Sequence, residues 1–184
     1  MNERINRNGV SENISDRVGA ARVKGSVVQQ PRPNPWNQFQ MRSQGMFSNT
    51  KKASTAYDLL KKQNWVGLQK LGNSSWPPNR GFISTSDKLL SPDTLFDRYG
   101  GFINKSGVFK DIGSFASPTG VPFKNRSLPQ GSLTKPYNQY EVIKSLPVTS
   151  GKAIPWFGQP GKGTQYELPA SIDDLLQSGI IRRK

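Results

Sequence analysis

Apolar positions divide this 184-residue chain into three stretches. Residues 1–35 are polar, rich in Asn and Arg, and end in PRPNP. They hold too little apolar surface to offset the entropy of ordering, so a flexible leader or linker is expected. From Trp36 to about Leu71 the pattern changes: Trp36, Phe39, Met46, Phe47, Ala53, Ala56, Tyr57, Leu59 and Leu60 include three- and four-residue spacings, with Lys and Gln between them. This predicts two or three short amphipathic helices, the best of them capped by Thr50 or Ser54 and running through Leu60. From Trp76 onward the chain is broken by Gly, Pro, Ser and Asn, and short apolar runs at 81–83, 95–99, 113–116, 140–146 and 164–168 read as strands. Ser171, followed by Asp173 and Asp174, caps a last helix that stops at Gly179. The expected fold class is α+β: a small, mostly antiparallel β domain with a C-terminal helix (73–184), preceded by a short helical segment (36–72) and the flexible leader (1–35).

The formal charge of +14 is spread along the chain, with 12 basic and 4 acidic residues before Ser75 and 14 and 8 after it. Such a balance favours anionic partners without choosing among nucleic acid, phosphorylated small molecules, acidic proteins and acidic membrane surfaces. The chain has no Cys and no His, which removes disulfides, thiolate nucleophiles, S- or N-ligated zinc and imidazole acid–base chemistry. No apolar run approaches a membrane span, and the polar start MNERINRNG has no signal-peptide core, so no export address of the chain's own is expected.

The densest chemistry lies in PWFGQPGKGTQYEL, residues 155–168. Trp156 and Phe157 offer flat faces, the glycines let backbone approach a bulky group, and Gln165 and Glu167 share one face if 164–168 is a strand. An ordinary hairpin with an aromatic core anchor explains the same residues equally well. The glycine order does not match a P-loop, and no Gly-x-Gly-x-x-Gly opens a helix after a strand, so neither a nucleotide-triphosphatase nor a dinucleotide-binding Rossmann unit is indicated. Arg98 and Arg126 each follow an apolar run. Arginine is suited to bidentate phosphate contacts, and the pair is a candidate pyrophosphate clamp whose removal should cost little stability.

Taken together, WPPNRGF (76–82), DRYGG (97–101), GSFASPTGVPFKNRSLP (113–129), PYNQYEV (136–142), LPVTSG (146–151) and PWFGQPGKGTQYELP (155–169) resemble the tuberculosis necrotizing toxin domain. That family comprises NAD(P)+ glycohydrolases found as C-terminal payloads of secreted bacterial toxins and in fungal surface NADases. The motifs occur in the family's order from Trp76 to the last helix, and 34–71 is similar to a helical pretoxin linker. The resemblance implies that Arg98 and Arg126 contact the dinucleotide and that Gln165 is required for glycosidic cleavage. Asn138 stands where the best-known member has a histidine. It hydrogen-bonds but does not titrate, so a working site would make that position positional.

Breaking the nicotinamide–ribose bond expels an already cationic ring, which needs no proton, through an oxocarbenium-like transition state. Gln165 would fix ribose hydroxyls and Glu167 would supply negative charge, while Trp156, Phe123 or Phe82 would stack on a base. NAD+ or NADP+ is then substrate, with no cofactor or metal. The resemblance further implies a parent secreted polypeptide, action in the target-cell cytoplasm and a cognate immunity protein. Two other readings compete. Gln165-x-Glu167 is similar to the Gln/Glu-x-Glu pair of ADP-ribosyltransferases, and the basic helices with Arg182-Arg183-Lys184 would suit a nucleic-acid module, although no recognised RNA- or DNA-binding motif is present. All the matched motifs lie after Asn73, so a fragment starting there is expected to be active alone.

Overall fold

A computed structural model describes residues 33–72 and 74–184; the leader expected over 1–35 falls almost wholly outside the described residues. Three helices come first: α1 (Pro35–Arg42), α2 (Thr50–Lys61) and α3 (Trp65–Leu71). Each is started by an asparagine. Asn34, Asn49 and Asn64 accept from the backbone N–H three residues on, at 2.8, 2.9 and 2.9 Å, satisfying a donor that the helix cannot. The cap of α2 is thus Asn49 rather than Thr50 or Ser54, because Thr50 is already the first helical residue.

The rest is β1 (Phe82–Leu90), β2 (Leu95–Tyr99), β3 (Phe102–Ile103), β4 (Phe109–Lys110), β5 (Phe115–Pro118), β6 (Tyr137–Val142), β7 (Leu146–Ala153), β8 (Thr164–Glu167), helix α4 (Ile172–Gln177) and β9 (Ile181–Arg183). Seven strands form one sheet in the order β1-β7-β8-β5-β2-β6-β9, with every pairing antiparallel, and β3–β4 is a separate hairpin. This is the α+β class expected. Strand β7 was not legible as an element, since Pro147, Thr149, Ser150 and Gly151 dilute its alternation. Ser171 caps α4 as expected, and Gly179 follows it at φ +64°.

Register assigns residues to faces. Phe96 opposes Tyr140, Ala116 opposes Tyr166, and these side chains form the main core with Val142, Leu168 and Ile172 and Leu175 of α4. Asp97 opposes Ser117 and Phe115 opposes Glu167, so Asp97, Ser117, Phe115, Gln165 and Glu167 project from the other face. A second core joins Phe39, Ala56, Leu60 and Leu68 of the helices to Ile154 and Trp156, with Ile83 and Phe157 packed against it. The expected boundary at residues 72–73 is therefore crossed by shared apolar packing, and 33–184 form one compact unit.

Candidate active site

The site is assembled around β8. A cleft of about 80 Å³ is lined by Gln165 together with Arg98, Tyr99, Phe115, Ser117, Arg126 and Leu128. Three residues singled out in the sequence, Gln165, Arg98 and Arg126, thus border one concavity, Gln165 and Arg126 from its own sheet face and Arg98 from the end of β2 behind it. The Gln165 Nε2 is buried and finds no hydrogen-bond partner, and neither do Arg98 Nε and Asn138 Oδ1. Unpaired buried polar atoms are costly, and the Gln165 amide, the one of these three on the cleft's own sheet face, marks a place where another molecule completes the bonding.

The glycine loop carries β8 into place against the turn that bears Arg126. Gly163 N–H donates to Asn125 O at 2.8 Å, Asn125 Nδ2 donates to Gly161 O at 2.8 Å, and a Cβ on Gly163 would stand 2.5 Å from Asn125 O. The bulky group that this loop approaches is therefore the chain's own backbone. Arg126 follows, with Nε and Nη2 donating to Val121 O at 2.9 and 2.7 Å and Nη1 paired to Asp97 at 2.5 Å. Its guanidinium lies over the Tyr99 ring, 5.4 Å from the centroid. Asp97 also accepts from Tyr137 Oη at 2.6 Å. Arg126 is thus a buried, ion-paired group, which argues against its removal at little cost to stability.

Arg98 lines the cleft at the end of β2 and pairs with the buried Asp111 at 3.2 Å. A Cβ on Gly100 or Gly113 would overlap its guanidinium, so both glycines are steric requirements of that arginine. Asn138 faces Arg98 across the β2–β6 pair, is 2% exposed, and donates to Gly100 O at 3.0 Å. It does not line the cleft, and both it and Arg98, its register partner, stand on the sheet face opposite Gln165, so Arg98 borders the cleft while its guanidinium is turned toward Asp111. In this structure Asn138 shapes the turn after Arg98.

Burial raises the Tyr137 pKa, helped by the hydrogen bond to Asp97, and burial likewise pushes Tyr140 up, helped by the nearby Asp111. Both phenols stay protonated around neutral pH and act as donors, Tyr140 Oη reaching Asp111 at 3.4 Å.

Glu167 shares the Gln165 face, as the period-two reading required, but its carboxylate is occupied on both sides. Arg42 of α1 holds one oxygen and Arg80 the other, each at 2.5 Å. It borders a different, wider cleft of about 600 Å³, lined also by Arg42, Asp87, Lys88, Leu89 and Thr149. The free negative charge expected of this residue is therefore not what it presents.

The aromatic expectations divide. Trp156 is 6% exposed, sits in the helix-facing core and donates from Nε1 to Ser75 O at 2.8 Å, so it is a core anchor rather than a base platform. Phe82 is fully buried against Phe115, ring centroids 6.2 Å apart, and is likewise unavailable for stacking. Phe123 remains half-buried and meets Tyr99 edge-on at 5.3 Å, beside the cleft. Tyr99, Phe115 and Ser117 were missed. Strand alternation from Asp97 and from Glu167's partner would have placed them, had the pairing been known. Among the described residues, no group of three or more acidic side chains is gathered to hold a metal, and no helix is long and apolar enough to cross a membrane.

An antiparallel α+β domain with an arginine- and glutamine-lined cleft is the class that fold and site define. The model of the tuberculosis necrotizing toxin family matches residues 89–184, and the chain belongs to that family. It is 33% identical over 126 residues to a conidial surface nicotinamide adenine dinucleotide glycohydrolase of Aspergillus fumigatus, a match covering 61% of this chain and 50% of the relative. The chain thus spans about half the length of that curated relative. Among solved structures, it is similar to tuberculosis necrotizing toxin complexed with its immunity factor, with TM-score 0.46, 22% identity and coverage of 60% of this chain and 62% of that one. It is also similar to Tse6 in complex with Tsi6, with TM-score 0.37, 12% identity and coverage of 70% and 96%.

Proposed function

We propose that this chain is an NAD+ glycohydrolase, acting also on NADP+, that serves as the toxic payload of a secreted polypeptide. The observation that carries this reading is the Gln165 amide, buried without a partner in a cleft that Arg126 and Arg98 border. Family membership and the glycohydrolase relative support it. At about 80 Å³ the cleft takes one end of a dinucleotide, since sites for whole ligands of that size run to several hundred Å³. The remainder would lie along the surface past Tyr99 and Phe123.

The reaction is NAD+ plus water giving nicotinamide, ADP-ribose and a proton. The C–N bond electrons leave with the pyridinium, which becomes neutral nicotinamide, and water adds to the ribose carbon. Because the leaving group is already activated, catalysis requires orientation and dipoles rather than a general acid. Gln165, on a strand held by the glycine loop, would bind ribose hydroxyls. The N–H groups of Arg126 left over from Asp97 and Val121 would face phosphate oxygens, and Arg98 would reach them from beyond the end of β2. Asn138 acts through the backbone after Arg98 rather than on substrate. The transferase alternative needs a Glu167 carboxylate free for an acceptor, and its double ion pair weighs against that.

Such an activity depletes the dinucleotide pool of the cell it enters, so we place its action in a target-cell cytoplasm. The producer then needs a neutralising immunity protein, and the +14 charge suits an acidic one. Incubating the purified chain with NAD+ and following nicotinamide tests the reading. Stoichiometric nicotinamide and free ADP-ribose are expected. No release, or label retained on protein or nucleic acid, would reject it.

A further inference from the structure

Helix α1 belongs to the segment that reads as a linker in the sequence, yet its end reaches the residues around Gln165 by two routes. In the first, Arg42 pairs with Glu167, two residues after Gln165 on the same strand face. This arginine is only 19% exposed and its Nε is buried. In the second, the Ser43 hydroxyl accepts from Asn79 N–H at 2.8 Å, with both residues buried.

Asn79 opens three consecutive left-handed residues: Asn79 at φ +52°, Arg80 at +51° and Gly81 at +82°. Two of these are not glycine, and such backbone persists only where its surroundings hold it. The holding contacts are visible. Ser43 takes the Asn79 N–H, Asn79 Nδ2 donates to Phe82 O at 2.7 Å, and Arg80 is tied to Glu167 and laid over Phe115. Gly81 completes the turn against the amide of Gln165: its Cβ position is 3.3 Å from Gln165 Nε2.

We propose, resting on the glycohydrolase reading, that α1 is a built-in positioning element of the active site, with Arg42 and Ser43 as its positioning residues. Arg42 sets the β8 end through Glu167, and Ser43 sets the strained 79–81 turn that backs the Gln165 amide. Neither touches substrate. The helical segment then belongs to the enzyme, and displacing α1 would loosen Gln165 without removing any cleft residue.

The test uses the full chain and measures kcat and KM for NAD+ in Arg42→Ala, Arg42→Lys, Ser43→Ala, Glu167→Gln and Arg42→Ala/Glu167→Gln, with thermal midpoints alongside. Misplaced catalytic groups cost turnover, so Arg42→Ala and Ser43→Ala should each lower kcat about tenfold or more while KM shifts little. Arg42→Lys should recover part of the loss, and the double variant should fall no further than the worse single one. If Arg42→Ala is unfolded at assay temperature, Ser43→Ala, which deletes one hydroxyl, decides. An active wild type with kcat unchanged in both alanine variants overturns the positioning role alone. A wild type that releases no nicotinamide overturns the glycohydrolase reading and this inference with it.

Discussion

Arg126 and Asp97 meet at 2.5 Å with 5% and 0% of their side chains exposed, on the sheet face that carries Gln165. Removing one partner of such a pair strands a charge in the interior. Arg126→Ala should lose about 3–5 kcal/mol of stability in urea denaturation. Asp97→Ala placed on top should return part of it. A single variant as stable as wild type would make Arg126 a pure ligand residue.

Gln165→Ala should reduce kcat by about 10²-fold, on the scale of losing one preorganised dipole at a charged transition state. Calorimetric affinity for NAD+ should change far less, because the contact matters most as positive charge develops on the ribose. Near-normal turnover would move catalysis elsewhere in the cleft.

Gly81→Ala combines a left-handed φ with a side chain 3.3 Å from the Gln165 amide. It should cost about 1–2 kcal/mol and lower kcat as well. Gly179→Ala, at φ +64° with open space around it, serves as the control. It should show a comparable stability cost with turnover intact. Equal kinetics in the two variants would count against crowding of Gln165.

Deleting residues 1–73 should expose Ile154, Ile83 and the Trp156 ring to water, since all three pack with the helices. The fragment 74–184 is expected to be aggregation-prone and weakly active, contrary to the expectation from motif positions alone. Gel filtration and nicotinamide release check this. A monomeric fragment with wild-type turnover would show that the β domain stands by itself.

Arg182, and behind it Lys184, hold the Glu141 carboxyl below its ordinary value of 4.5. A depressed carboxylate contributes stability that is full above that value and lost as pH falls through the lower folded one. Between about pH 5 and 3, wild type should therefore lose more stability than Arg182→Ala. High salt should narrow the difference, because Arg182 is 61% exposed. Parallel melting curves would mean that the pair contributes nothing.

Sequence by itself determined what local chemistry determines. Spacing of apolar residues disclosed the helices, Ser171 and Gly179 bracketed α4, and the absence of Cys and His excluded whole reaction classes. Motif order disclosed the family, and period two placed Gln165 and Glu167 on one face. Tertiary structure decided the rest, because pairing register and packing depend on residues distant along the chain. Trp156 became a core anchor because the helices fold over it, and Phe82 became one against Phe115. The β2–β6 register put Asn138, and Arg98 with it, on the face away from Gln165, and Glu167 was neutralised by Arg42, 125 residues earlier. A strand's alternation says which side chains share a face; only the neighbouring elements say whether that face meets substrate, an arginine or a helix.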